Sequence, residues 1–286
     1  MFETPTLTDA SLPLSNQLAV FGHPIAHSKS PRIHQAFGHQ LGIDLRYQAI
    51  DVVDGNLAAA ALRFQQMGGS GANVTLPFKQ DAYKLCRSLS ANATRTQVVN
   101  TLHWRGDHWF GDNTDGPGLV RDISERHRQD LRARRVLILG AGGAVQGILS
   151  ALLDAGVDTI TLANRSPAKA DALCDLIGEP ARVKSLYWQD LADAGHFDLV
   201  LNGTSAGVQG ASLSLPFSLL TPRTLAYDLS YGPAATDFLA WAKAGQCWLA
   251  VDGLGMLVEQ AALAFALWFG QTPDSEAVYQ NLRTTP

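Results

Sequence analysis

The stretch Arg135-Val136-Leu137-Ile138-Leu139-Gly140-Ala141-Gly142-Gly143-Ala144 decides the fold. Its first five residues run apolar without alternation, the pattern of a strand covered on both faces, as in parallel sheets. The run stops at Gly140, and from Ala144 apolar residues recur at helical spacing to about residue 155. Buried strand, glycine turn and helix, in that order, build a dinucleotide-binding turn. One glycine permits the tight turn, another lets the backbone approach a pyrophosphate, and the helix N-terminus offers free N–H groups and the positive end of its dipole. The cofactor candidates in this turn are Gly140, Ala141, Gly142, Gly143 and Ala144. A strict G-x-G-x-x-G/A spacing is not met, because its third position falls on Val145; small residues Gly143, Ala144 and Gly147 stand nearby instead.

Reading outward toward the C-terminus, the next strand ends in Asn164-Arg165-Ser166. An enzyme that prefers NAD places Asp or Glu there to bond the ribose 2′-hydroxyl. Here the charged residue is Arg165, whose guanidinium pairs with a 2′-phosphate; Ser166 adds a hydroxyl and Lys169 a second cation, so the cofactor expected is NADP. Further strands are expected at 183–188, 199–202, 225–229 and 248–251, with helices at 168–177 and 235–244, which makes this half a doubly wound parallel sheet. Toward the N-terminus the same alternation continues. Strands are expected at 18–21, 45–50 and 71–75, and helices at 31–41 (Ser30 as N-cap, Pro31 in the first position), 55–67 and 78–86. A hairpin over 98–104 and 108–111 turns at Arg105-Gly106-Asp107, and a helix follows at 119–129. The tail carries helices at 256–269 and 274–283. The class is α/β with two domains, the junction near Gly116 and the end of the second domain near Asp252.

Composition narrows the function. The 286 residues are 46% hydrophobic with a formal net charge of −4, so neither nucleic acid nor an anionic membrane surface is an expected partner. The N-terminus lacks the basic start and apolar run of a secretory leader, and the longest apolar stretch, 261–269, is far short of a bilayer span. Cys86, Cys174 and Cys247 are scattered, an odd set with no C-x-x-C pair, which points to a reducing, cytoplasmic setting. The sequons at Asn73, Asn92 and Asn202 are then coincidental.

Gly203-Thr204-Ser205-Ala206-Gly207 matches the nucleophile elbow of hydrolases, G-x-S-x-G. The elbow must lead into a helix, but 208–216 reads as loop, and no histidine follows His196 to act as base. The eight histidines offer no metal-ligand spacing: His23 and His27 stand four apart, but Pro24 denies them a helical face. No metal is expected.

The first domain carries the more specific motifs. Ser28-Lys29-Ser30-Pro31 places two hydroxyls two residues apart before a helix, a geometry that can hold a carboxylate. Then come Asn73-Val74-Thr75-Leu76-Pro77-Phe78-Lys79, Val99-Asn100-Thr101, Gly111-Asp112-Asn113-Thr114-Asp115-Gly116, Asn202-Gly203-Thr204-Ser205, Asp228-Leu229-Ser230-Tyr231, and 252–262 (DGLGMLVEQAA). In this order, and together with the glycine turn, these residues resemble the shikimate dehydrogenase family over nearly the whole chain after about Asn16. The resemblance implies a substrate domain (1–115), an NADP-binding Rossmann domain (116–252) and C-terminal helices (253–286) returning to the first domain. It implies catalytic residues Lys79 and Asp115, both also contacting substrate. The other implied substrate contacts are Ser28, Ser30, Thr75, Asn100, Tyr231 and Gln260. For the cofactor it implies Asn164, Arg165 and Ser166 at the 2′-phosphate, Gly253 and Met256 near the nicotinamide, and Leu229 as a further contact. The implied reaction is reversible reduction of 3-dehydroshikimate to shikimate, in a monomer or homodimer.

Each of these residues also has a plainer reading: Asn73 as a turn residue, Ser30 and Asp115 as N-caps, Lys79 as a first-turn surface lysine. Lys79 has two chemical roles open to it, direct proton transfer and stabilisation of charge on the substrate oxygen. The sequence departs from the family at Gln97-Val98, where Gly-Ala is usual, and at Ala91, where many members carry an acid. The alternatives weighed beside this reading are a quinate/shikimate dehydrogenase with mixed cofactor use and a non-catalytic ligand sensor on the same fold.

Overall fold

The computed structural model describes residues 16–284. Residues 1–15, part of the first-domain range and the stretch read as lacking a leader, lie outside the described residues, as do 285–286.

The first sheet is built from β1 (Gln17–Gly22), β2 (Arg46–Asp51), β3 (Gly71–Val74), β4 (Ser88–Leu89), β5 (Thr101–Trp104) and β6 (Trp109–Asp112), in the order β2-β1-β3-β5-β6-β4. Strands β1, β2 and β3 run parallel, and the β5–β6 hairpin adds antiparallel to β3. Between the strands lie α1 (Ser30–Leu41), α2 (Leu57–Gln66), α3 (Lys79–Leu85) and α4 (Ala91–Thr96). One face of the sheet packs on α2 and α3 through Phe21, Leu57, Phe64, Val74, Phe78 and Leu102.

The chain leaves this sheet through α5 (Asp115–Arg121), which continues as a π-helical turn over Asp122–Arg126. Strands β7 (Arg135–Leu139), β8 (Thr159–Asn164), β9 (Val183–Tyr187), β10 (Leu199–Asn202), β11 (Leu225–Asp228) and β12 (Leu249–Val251) form the second sheet, all parallel, in the order β12-β11-β10-β7-β8-β9. This is the doubly wound Rossmann arrangement, whose order reverses between β7 and β10; a dinucleotide binds in the crevice at that switch point. Helices α6 (Gly143–Asp154) and α7 (Pro167–Ile177) cover one face and α8 (Thr236–Ala244) the other.

The last two helices, α9 (Leu254–Phe269) and α10 (Ser275–Thr284), return to the first sheet. Val258, Ala261 and Phe265 pack on Ile33 and Phe37 of α1, and the Trp268 indole donates to the Leu102 carbonyl at 2.9 Å. The return is tight because Gly118 of α5 leaves room for the Gln260 backbone: a Cβ on Gly118 would stand 2.7 Å from the Gln260 nitrogen.

Local differences from the sequence expectation have physical causes. Ser30 is the first helical residue rather than the N-cap; Lys29 holds the cap position, and the Ser28 hydroxyl accepts the Ser30 N–H at 3.3 Å. The helix expected at 119–129 starts at Asp115, since Pro117 falls within the first turn, where a missing N–H costs nothing. Val98–Asn100 does not join the hairpin strand; β5 begins at Thr101, and α4 and the two-residue β4 are too short to carry a readable period. The segment after Gly207 is a single 3-10 turn, Gly207–Gln209, not the helix a nucleophile elbow requires. No helix among the described residues is long and apolar enough to cross a membrane, and none of their His, Cys, Asp and Glu side chains form a cluster able to hold a metal.

Candidate active site

Gly140 follows β7 with φ +108°, a backbone that side chains rarely adopt, and a Cβ there would meet the Gly203 carbonyl oxygen at 2.8 Å. The two glycines close the switch point between β7 and β10. Gly142 caps α6 with nothing within 4 Å of where its Cβ would be, and no side chain caps this helix. Uncapped N–H groups below open space fit a pyrophosphate. The spacing irregularity at Val145 is resolved one turn later. Gly147 faces Asn113 and Asp115, where a Cβ would stand 3.3 and 3.4 Å from their side chains, so it supplies the close helix approach.

At the end of β8 the Asn164 amide donates to the Ser166 carbonyl at 2.9 Å and shapes the turn. Arg165 and Lys169 are exposed, with no ion-pair partner among the described residues. Arg165, Pro167, Tyr187, Trp188 and Gln189 line a cavity of about 500 Å³ beside the turn. An unpaired guanidinium next to an open cavity suits a phosphate. Across the switch point, Leu229, Gly253 and Met256 converge. The Leu229 N–H donates to Asn202 O (2.8 Å), the Gly253 N–H to Ser230 O (2.8 Å), and the Met256 N–H to the Tyr227 hydroxyl (3.3 Å). Burial pushes the neighbouring Asp228 carboxyl up to about 6, although the Ser230 N–H and the Asn202 amide donate to it.

Lys79 opens α3 and Asp115 opens α5. Their side chains meet as a largely buried ion pair, Nζ to Oδ2 2.5 Å, beside the glycine turn: a Cβ on Gly143 would stand 3.7 Å from Lys79 Cβ. The Asn100 amide donates to Asp115 Oδ1 at 2.9 Å and to Gln260 Oε1 at 3.1 Å, and Gln260 in turn donates to Leu257 O at 2.7 Å. Lys79, Asn100, Asp115 and Gln260 thus form one cluster from three helices and the segment before β5. Thr75 directly follows β3, with its methyl 2.6 Å from the Cβ position of Gly22.

Ser28 and Ser30 stand apart from this cluster but are joined to it by hydrogen bonds. The Tyr47 hydroxyl bonds with the Ser30 side chain and donates to Asn73 Oδ1 at 2.7 Å, and Asn73 Nδ2 donates to the Asn100 carbonyl at 3.2 Å. Tyr231 packs on the α1–α9 core and bonds with the Lys29 backbone, between the two serines. Asn73 is therefore a buried strand residue and not a turn residue.

Chain segments matching family models confirm what this architecture resembles. Residues 20–102 match the shikimate dehydrogenase substrate binding domain, 122–208 match shikimate / quinate 5-dehydrogenase, and 253–283 match the shikimate 5'-dehydrogenase C-terminal domain. The NADP(+)-dependent shikimate dehydrogenase of Xylella fastidiosa (strain 9a5c) is 54% identical over 275 residues, covering 96% of this chain and 97% of the relative. The chain belongs to the shikimate dehydrogenase family. Among solved structures, an Ael1 enzyme from Pseudomonas putida is 42% identical, with a TM-score of 0.85, over 93% of this chain and 97% of its own. Shikimate 5-dehydrogenase from Thermus thermophilus, solved in complex with NADP(H) and shikimate, is 33% identical, with a TM-score of 0.82, over 94% and 98%.

Sequence reasoning missed two residues that support this candidate site. His34 is fully buried, stacks on Tyr47 (centroids 4.4 Å apart, planes at 5°), and meets Asn73 Oδ1 at 3.1 Å through Nε2. Burial pushes its imidazole down to about 3, so it is neutral and Nε2 is the donor. Its position four residues after Ser30, on the face carrying Ile33 and Phe37, was the available signal. Asn113, whose amide donates to Gly147 O at 2.8 Å, gave no sequence signal beyond its place in the motif.

Proposed function

We infer that this chain catalyses the NADP-dependent, reversible reduction of 3-dehydroshikimate to shikimate, with Lys79 and Asp115 as its catalytic pair. The observation that carries the reading is the buried Lys79–Asp115 ion pair held beside the Gly140–Ala144 turn in a chain of this family. When bound, the nicotinamide supplies the hydride that reaches substrate C3.

The chain's own residues account for the rest. The Lys79 ammonium hydrogen-bonds the carbonyl oxygen at C3 and supplies the proton as that oxygen becomes an alkoxide; in the oxidation direction it takes the proton back. Asp115 aims the lysine through Oδ2, while Oδ1 is fixed by the Asn100 amide, so the carboxylate has little freedom to turn. Asn100, Gln260 and Thr75 present polar atoms to the substrate hydroxyls. Ser28 and Ser30, with Tyr231 beside them, hold the carboxylate at the far end of the ring. Gly140, Ala141, Gly142, Gly143 and Ala144 carry the pyrophosphate. Asn164, Arg165, Ser166 and Lys169 take the 2′-phosphate, and Leu229, Gly253 and Met256 flank the nicotinamide.

The proposed division of labour is a substrate domain over 1–115, a cofactor domain over 116–252, and helices over 253–286 that complete the first. All these residues come from one chain, so a monomer or a homodimer in the cytoplasm would carry complete sites. The test is to incubate purified protein with shikimate and NADP and identify the product by mass spectrometry. Shikimate less two hydrogens, formed with an equivalent of NADPH, is expected; no product from folded protein would overturn the reading.

A further inference from the structure

Helix α6 does two jobs. Its N-terminus opens the cofactor turn, and one side of it faces the first domain. That side is a polar stripe at four-residue spacing, Gln146, Ser150 and Asp154, in an otherwise apolar helix. Each member has its partner on or beside α4. The Gln146 amide donates to the Thr96 carbonyl at 2.7 Å, the Ser150 hydroxyl donates to Asn92 Oδ1 at 3.0 Å, and Arg95 pairs with Asp154 at 2.7 Å.

Gln146 has a second contact. Its Oε1 accepts from the Gln80 amide at 2.8 Å, and Gln80 directly follows Lys79 at the start of α3. The Gln146 side chain is buried, with both polar atoms committed to the other domain. Burying an amide whose partners all lie across a domain boundary stabilises one relative placement of the domains, because any other leaves the amide unpaired. The two ends joined here are the first turn of α3, which carries the Lys79 ammonium, and the first turn of α6, which carries the cofactor turn.

We propose that Gln80 and Gln146 are positioning residues, whose hydrogen bond across the domain boundary sets Lys79 relative to the bound cofactor. The inference rests on the dehydrogenase reading above. The pair touches neither substrate nor the reacting atoms; it acts through Lys79. Its removal should slow the chemical step while leaving each ligand's own contacts intact, since misplacement by about 1 Å can cost up to roughly 10²-fold.

The test uses Gln146→Leu and Gln80→Ala, the second at an exposed position that folding tolerates, with wild type measured in parallel. Each variant should lower kcat about 3- to 30-fold, with the KM for shikimate and the Kd for 2′,5′-ADP within about 3-fold of wild type. The primary isotope effect with [4-2H]NADPH should rise as hydride transfer becomes more rate-limiting. Because residue 146 must also donate to Thr96 O, the rescuing pair needs its acceptor at 80: Gln80→Glu with Gln146→Arg should recover most of the lost kcat. Unchanged kcat and isotope effect in folded single variants would overturn the inference alone. So would losses in kcat that track a fall in Tm and are not rescued by the double variant. No turnover by wild type would overturn the dehydrogenase reading and this inference with it.

Discussion

Lys79 and Asp115 lie 36 positions apart in the chain and 2.5 Å apart in space, each placed by the first turn of its own helix. An ammonium that acts where negative charge develops should matter more in the transition state than in the ground state. Lys79→Ala should therefore lower kcat by about 10²–10⁴-fold and move substrate KM far less; near-normal turnover in the folded variant would remove Lys79 from the mechanism. Ser28 and Ser30 face the opposite case, since a spectator carboxylate is held alike in both states. Ser28→Ala should raise shikimate KM with little change in kcat, and an unaltered KM would leave that hydroxyl as only the acceptor for the Ser30 N–H. Arg165 should carry cofactor preference. Arg165→Ala should cut the NADP-over-NAD ratio of kcat/KM by about 10- to 150-fold at low ionic strength, and by less as salt screens this exposed site. Equal losses with both cofactors would reassign Arg165 to the adenine or the fold.

Helix α4 ends on Gln97 at φ +50°, the left-handed region, which explains why the family usually has glycine there. The exposed Gln97 side chain has nothing to lose by removal, so Gln97→Gly should raise stability by about 0.5–1 kcal/mol in chemical denaturation, with catalysis unchanged. A loss of stability would show that the side chain contributes more than its backbone costs. Helix α1 brings a different liability. Its His34 stays neutral in the folded protein down to about pH 3, whereas an unfolded histidine takes up a proton near 6.5. The folded state thus binds fewer protons than the unfolded one below pH 6.5. Above that value the group makes no difference to the pH dependence. As pH falls from 6.5 toward 3, it removes stability at about 1.4 kcal/mol per unit. His34→Phe, which keeps a ring against Tyr47, should flatten this slope by one proton; an unchanged slope would place the acid lability elsewhere.

The two halves of the molecule were unequally legible in the sequence. The cofactor half follows from local pattern, since one unalternating strand, a glycine turn and a helix are contiguous, and Arg165 sits one strand later. The proposed substrate site draws on residues of α1, α3, α5, α9 and the segment before β5, and no periodicity links Lys79 to Asn100 or Gln260. Only the family resemblance brought them together beforehand. What neither route supplied is the polar seam between the halves, because amides such as Gln80, Asn113 and Gln146 look like ordinary surface residues until their partners are known. With the proposed sites for both ligands placed at that seam, the central claim is a pairing of one substrate with one cofactor. It is tested most directly by steady-state oxidation of shikimate and quinate, each with NADP and NAD, followed by absorbance of the reduced cofactor. The account predicts the highest kcat/KM for shikimate with NADP, falling when either partner is exchanged; a preference for quinate or for NAD would contradict it.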